Sequence, residues 1–361
     1  MPVAPSHTGP VRTALIGYGF AGRTFHAPLI RAVPGLALSV VASGDAAKVH
    51  AELPDVEVIG DPLRAIADPR VELVVIASPN DSHVALAQAA LGAGKHVVVD
   101  KPFTLSLDDA RELASLADEC GRLLSVFQNR RWDSDFLAIR DAIDAGLVGE
   151  AMHLESRIER FRPQVRMRWR EQAGPGSGLW WDLGPHLVDQ ALQLFGLPER
   201  VLGSFALQRE GARTPDWAHV VLEHGGRRSV LHAGMLAAGG HSRFLLHGTG
   251  GSVVKPAADQ QEAQLLAGVR PGDGEWGLDP DPLLLHDGSG TTRRIDAPRG
   301  DQSRYYAAVA GAVRGQAPNP VSPAQAVAVM AVLEAAIASA ESGQAIAPAL
   351  TDAEREAFTT G

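Results

Sequence analysis

The chain has 361 residues, 45% of them apolar, with 33 Lys and Arg against 42 Asp and Glu for a net charge of −9. That length suits about two domains with a sizeable core, and the acidic balance argues against a dedicated nucleic-acid or acidic-membrane binder. A single cysteine, Cys120, excludes an internal disulfide framework and a cysteine-rich zinc site; residues 1–10 show no signal-peptide pattern and no uninterrupted apolar run reaches about 18 residues, so a cytoplasmic protein with no membrane partner is expected.

The first third alternates short β-rich runs with helical patterns. Residues 11–17 predict a strand, followed by a helix to about Val33. Further strands are predicted over 36–43, 56–60, 71–78, 95–100 and 123–128, with helices between them, notably over 82–93 and 106–121. Continuous Val and Ile runs suit strands buried on both faces, and repeated strand–helix–strand order implies a parallel sheet. Near residue 149 the texture changes. The runs 150–161, 200–210, 217–226, 227–236 and 243–255 alternate, as antiparallel strands with one wet face do. A helix is predicted near 180–195, and 256–300, rich in Gly, Pro and Asp, reads as long loops. Helices over 302–314 and 323–342 close the chain; Glu334 interrupts the apolar run of the second, which reads as a packed helix.

After the first strand, "IGYGFAG" sets Gly17, Gly19 and Gly22 in G-x-G-x-x-G spacing ahead of a predicted helix, the context that makes this motif a dinucleotide fingerprint. Gly17 permits the tight turn, Gly19 the approach of a pyrophosphate, and Gly22 close helix–sheet packing. Tyr18, Phe20 and Ala21 belong to the same loop. The second strand ends "VVASGD", with Ser43 where NAD-binding chains place an acid. A serine does not repel a 2′-phosphate, and Arg23 is close in sequence, so NADP is favoured over NAD; Asp45 keeps NAD possible and otherwise reads as a helix N-cap. Ser78, Pro79 and Asn80 end the fourth strand at the ligand-binding edge, Asp81 or Ser82 caps the next helix, and His83 reads as structural.

"VVVDKP" places Lys101 at the end of the fifth strand, on the edge of the phosphate loop. A half-buried ammonium there is costly unless paired or useful, and desolvation lowers its pKa as proton transfer requires. Pro102 restricts the geometry of Asp100 and Lys101 and is a candidate for a cis bond. In "GPGSGLWWDLGPHLVDQ", Asp182 and His186 are four apart, on one face if the segment is helical. His186 is a candidate proton acceptor, with Asp182 to orient it; a core histidine and an N-cap are the plainer readings. A metal site from Asp182, His186 and Asp189 lacks the H-E-x-x-H pattern and any cysteine ligands, and no metal is expected. "RIERFRPQVRMRWR" (157–170) carries six arginines. A solvated strand edge accounts for it; the alternative is bidentate binding of an oxygen-rich ligand. No aromatic platform accompanies the arginines, so nucleic acid is not expected.

The segments "GYGFAGRTFHAPLI", "SPNDSHVALAQAALGAGKHVVVDKPF", "SVFQNRRWDSDF" and "GPGSGLWWDLGPHLVDQALQLFGLP" together resemble the Gfo/Idh/MocA oxidoreductases, most closely the NADP-dependent scyllo-inositol dehydrogenase-like subgroup. The resemblance implies an α/β fold: a tail (1–10), a Rossmann domain with a doubly wound parallel sheet (11–128), and a C-terminal α+β domain (129–361) with a large, mostly antiparallel sheet. Lys101 then matches the lysine of the E-K-P motif, with Asp100 replacing the usual glutamate, and Asp182 and His186 match D-x-G-x-H. Ser43, Ser78, Pro79, Asn80, His83, Asp100, Lys101, Asn129, Trp169 and Arg170 are assigned to the cofactor with the loop residues, and Lys101, Arg162, Trp169, Asp182 and His186 to substrate. The implied activity is reversible oxidation of a secondary hydroxyl on a cyclic polyol or sugar, with Lys101 and His186 both open as the base. Alternatives are a non-catalytic NADP(H) sensor and an NAD-dependent non-redox glycosidase or lyase. A homodimer or homotetramer through the C-terminal sheet is expected.

Overall fold

The structure is a computed structural model that describes residues 9–166 and 169–360. Six strands form the first sheet: β1 (Val11–Ile16), β2 (Leu36–Ala42), β3 (Glu57–Ile59), β4 (Leu73–Ile76), β5 (His96–Val99) and β6 (Leu124–Val126). Their spatial order is β3-β2-β1-β4-β5-β6, and every pairing is parallel. The valines and isoleucines of β4 and β5 are buried on both faces, which is why these strands read as unbroken apolar runs. The chain order reverses between β1 and β4, the crevice where doubly wound sheets bind ligands.

The second sheet holds β7 (Ala151–Glu159), β8 (Arg200–Ala206), β9 (Trp217–His224), β10 (Arg227–Gly234), β11 (Phe244–Gly248), β12 (Gly251–Lys255), β13 (Leu283–Asp287) and β14 (Thr292–Ile295). Their order is β14-β13-β12-β11-β7-β10-β9-β8. All neighbours are antiparallel except β7 and β10. That parallel pair departs from the antiparallel expectation, because alternation reports which face a side chain takes and not which strand lies beside it. The run 243–255 is a hairpin rather than one strand: β11 and β12 turn between Gly248 and Gly251. The stretch 256–300 is not all loop either. It contains the helix Gln261–Leu266 and the β13–β14 hairpin, whose "LLLHDGSGTTRRI" turns tightly at Gly290. Helices Ser134–Asp144 and Asp352–Thr360 have no counterpart in the sequence expectation.

The helix Pro323–Ser342 joins the two halves. It packs on the helix Leu107–Cys120 of the first domain, on the helix Leu179–Phe195 and on β8. A capping box between Ser322 and Gln325 starts it, and Gly343 in the left-handed region ends it. Among the described residues it alone is long and apolar enough to cross a membrane, yet most of it is buried in this core. Glu334, the charge in its apolar run, accepts the Leu107 N–H at 2.7 Å and so satisfies the start of the neighbouring helix.

Candidate active site

The glycine loop closes as three different demands. Gly17 has φ of +98°, and a Cβ there would meet the Ala77 carbonyl oxygen at 2.9 Å. A Cβ on Gly22 would lie 2.1 Å from the Gly17 carbonyl oxygen, so the helix start and the loop touch backbone to backbone. Gly19 meets nothing within 4 Å and borders an open cavity of about 810 Å³. That cavity runs past Tyr18, Ser43, Asp45, Ser78 and Ser82 along the ends of β1, β2 and β4. The helix that follows is wound as a π turn over Gly22–His26 before Ala27–Arg31 continues it, and it ends earlier than expected.

Arg23 faces away from this cavity. It is paired with Glu52, its Nε donating at 2.7 Å, and Glu52 also accepts the Tyr18 hydroxyl at 3.0 Å. Asp45 caps the helix Ala46–His50, accepting the Lys48 N–H at 2.9 Å. Ser43 accepts the Asp45 N–H through its hydroxyl at 3.2 Å. Neither Asp81 nor Ser82 caps the helix His83–Gly92; the Ser82 hydroxyl donates to the Pro79 carbonyl at 2.6 Å and meets the Ser78 hydroxyl at 2.6 Å. Asn80 is buried and donates to the Gly176 carbonyl at 3.2 Å, and Pro79 is exposed. His83 is buried between the Pro102 carbonyl (2.9 Å) and the Ser78 carbonyl (3.1 Å), and burial lowers its pKa. It braces the ends of β4 and β5 against each other.

Beyond Phe20 and Ala21 the loop borders a second cleft of about 710 Å³ between the two domains. Asp100, Lys101, Asn129, Arg162, Arg170, Asp182 and His186 all line it. The Lys101–Pro102 peptide is cis. Lys101 Nζ donates to the Asp182 carbonyl oxygen at 2.7 Å and to its carboxylate at 3.2 Å. An ammonium has three donors, so one is left to an oxygen in the cleft. Arg170 Nε lies 3.6 Å from the same carboxylate. The helix Leu179–Phe195 carries both Asp182 and His186 and continues through Pro185. Pro185 has no N–H for the carbonyl four residues back, which loosens this turn beside the carbonyl that Lys101 uses.

Burial pushes the Asp182 pKa upward, but Lys101, Arg170 and the hydrogen bond from Lys101 outweigh it and hold it at about 2. His186 is buried, and burial with the nearby charges of Lys101, Arg130 and Arg243 depresses its pKa well below the ordinary range. It is therefore neutral at pH 7, with its Nδ1 unpartnered among the described residues. Asp189 is gripped by Arg131 at 2.6 and 2.8 Å, which takes it away from Asp182 and His186. The side chain of Trp169 lies outside the described residues, so its expected role at the nicotinamide and at substrate does too.

Two groups of site residues escaped the sequence reading. His26 is buried, with Nδ1 at 2.5 Å from the Tyr306 hydroxyl and Nε2 at 3.6 Å from Asp100. Burial raises the Asp100 pKa, but His26, Lys101 and His83 pull it below the usual value; its carboxylate also accepts the Lys101 N–H at 2.8 Å. Arg209, buried, donates to Asp216 at 2.8 Å, to Glu171 at 3.1 Å and to the carbonyls of Arg162 and Gln164. It ties the backbone at Arg162 and Gln164 to Glu171 beside the cleft. No local motif marks either group, although His26 lies within the segment "GYGFAGRTFHAPLI" that carries the family resemblance.

Residues 11–128 match "Oxidoreductase family, NAD-binding Rossmann fold", and residues 140–347 match "Oxidoreductase family, C-terminal alpha/beta domain", both of the Gfo/Idh/MocA group. The chain belongs to the Gfo/Idh/MocA oxidoreductase family. This Gfo/Idh/MocA protein is 49% identical over 335 residues to the uncharacterized oxidoreductase YdgJ of Escherichia coli, covering 92% of this chain and 96% of that one. It is 34% identical over 341 residues to scyllo-inositol 2-dehydrogenase (NADP(+)) IolW of Bacillus subtilis, covering 93% and 95%. A crystal structure of a putative oxidoreductase from Klebsiella pneumoniae superposes with a TM-score of 0.93 at 56% identity, covering 98% and 99%. The loop fits the NAD(P) that the Rossmann domain of a Gfo/Idh/MocA oxidoreductase binds: Gly19 leaves the space a pyrophosphate needs.

Proposed function

We propose that this oxidoreductase reversibly oxidises a secondary hydroxyl of a cyclic polyol or sugar and prefers NADP. The observation that carries the reading is one cleft wall: a lysine held by a carboxylate and its backbone carbonyl, beside a buried neutral imidazole. Nicotinamide, when bound, supplies the hydride acceptor. The loop at Gly17–Gly22 would hold its phosphates, and Asp100, Lys101 and Asn129 border the space between the loop and the helix Leu179–Phe195. Lys101 directs its third donor at the substrate oxygen and stabilises the negative charge that grows there as the proton leaves. His186, neutral and so able to accept, takes that proton. Asp182 holds the ammonium in place and stays ionised throughout the working pH range. A positioned acid–base group contributes about 10²–10⁴ in rate.

NADP is favoured because Asp45 is committed to its helix cap and Ser43 ends β2. No carboxylate other than Asp45 comes from the end of β2 to claim a ribose 2′-hydroxyl or repel a 2′-phosphate. The name of IolW, an NADP(+) inositol dehydrogenase, supports both the cofactor and the substrate class. The test is cofactor reduction, followed by absorbance, with a panel of inositols and aldoses and with NAD and NADP in parallel. Expected is reduction of NADP by at least one cyclic polyol or sugar, with NAD at least about tenfold poorer in kcat/KM. No reduction of either cofactor across the panel would overturn the reading.

A further inference from the structure

The cleft carries more positive charge than its catalytic pair needs. Seven cationic side chains line it against five carboxylates. Four of the seven are committed: Lys101 and Arg170 to Asp182, Arg130 to Asp133 and Glu262, and Arg209 to Asp216 and Glu171, while Arg166 is exposed. Arg160 is different. Its backbone is fixed at the end of β7, its N–H donating to Gly234 at 3.0 Å and its carbonyl accepting the Ala237 N–H at 3.2 Å. Its side chain is half-buried on the cleft wall, and among the described residues no hydrogen bond or ion pair engages its guanidinium. It lines the same cleft as Lys101, Asp182 and His186.

A half-buried guanidinium without a counter-ion is costly, and a ligand that fills the cleft and expels water raises that cost unless it brings negative charge. The planar fork suits a carboxylate or phosphate better than a hydroxyl. We propose that the cleft takes a polyol or sugar bearing an oxyanion group, and that Arg160 receives that group while Lys101 faces the reacting hydroxyl. This rests on the dehydrogenase reading for the identity of the reacting end and adds the substrate's charge.

The test is calorimetric binding of glucose, glucuronate and glucose 6-phosphate to the NADPH-saturated protein, which holds no hydride acceptor, and to its Arg160→Gln and Arg160→Lys variants. Expected is that at least one of the two acids binds the native protein about 10- to 100-fold tighter than glucose, the range of a charge-assisted hydrogen bond. Arg160→Gln brings that ratio to near one, and Arg160→Lys restores part of it. Which acid gains identifies the oxyanion. If neither acid binds tighter than glucose, or if the preference survives Arg160→Gln, the proposal is wrong. Binding is read there without turnover, and a parallel absorbance assay with NADP reads turnover, so failure of the dehydrogenase reading is separable: it appears as selective binding with no NADPH formed.

Discussion

Two lysines of this chain hold carboxylates in buried surroundings, and only Lys101 borders the cleft between the domains. Lys255, at the end of β12, lies 2.7 Å from Asp281 and 3.1 Å from Asp279, with its own side chain and that of Asp279 fully buried. The partners are themselves satisfied: Asp279 accepts the Ser134 hydroxyl at 2.6 Å and Asp281 the Ala257 N–H at 2.7 Å. Lys101 and Asp182 form a similar pair but keep 15% and 25% of their side chains exposed, and both open onto the cleft. An ion pair alone therefore says little about function. What distinguishes Lys101 is a spare donor facing a cavity that also contains a neutral imidazole.

The largest expected effect on that contrast is in stability. Lys255→Met leaves Asp279 buried without its cation, and breaking one side of a buried pair costs about 3–5 kcal/mol. Denaturant unfolding measures it, and a loss below about 1 kcal/mol would place Lys255 with the weak surface pairs. The second effect is in pH. His186 has a depressed folded pKa, so between that value and the unfolded value near 6.5 the unfolded chain binds a proton that the folded one refuses. Its contribution is fully present above about pH 6.5 and is lost as pH falls below it, by about 1.4 kcal/mol per unit. His96 and His224, held at about 4 by burial, add slopes of the same sign. His186→Asn should therefore lessen the acid sensitivity of unfolding by one group's share, measured between pH 6.5 and 5; an unchanged slope contradicts the neutral imidazole. The smallest effect is at Glu334, whose loss in Glu334→Ala removes the acceptor for Leu107 N–H and costs about 1 kcal/mol. Thermal unfolding reads it, with turnover expected to change little.

The parts of this molecule legible in the sequence are those set by local chemistry. Gly17, Gly19 and Gly22 announce a backbone shape, the valines of β5 announce burial on both faces, and a lysine followed by proline at a strand end announces a polar group held at the sheet edge. Asp182 and His186 are four apart on one helix, so their shared face followed from helix geometry even with Pro185 between them. What was not legible depends on pieces distant in the chain. The parallel pairing of β7 with β10 is a choice among equally alternating strands. Arg23 pairs with Glu52, which lies just past the helix that follows β2, a partner the glycine motif does not announce. Asp100 in place of glutamate makes sense only once His26 and Tyr306, the latter over 200 residues away, are seen beside it.

The most direct measurement is turnover of Lys101→Met beside Lys255→Met, each per folded molecule and with NADPH affinity recorded by fluorescence. Expected is a fall in kcat of about 10²–10⁴ for Lys101→Met with NADPH affinity within about threefold of native, and a kcat within about twofold for Lys255→Met. Near-normal turnover in Lys101→Met, or an equal loss in both variants, would contradict the assignment of the reacting oxygen to the Lys101 ammonium.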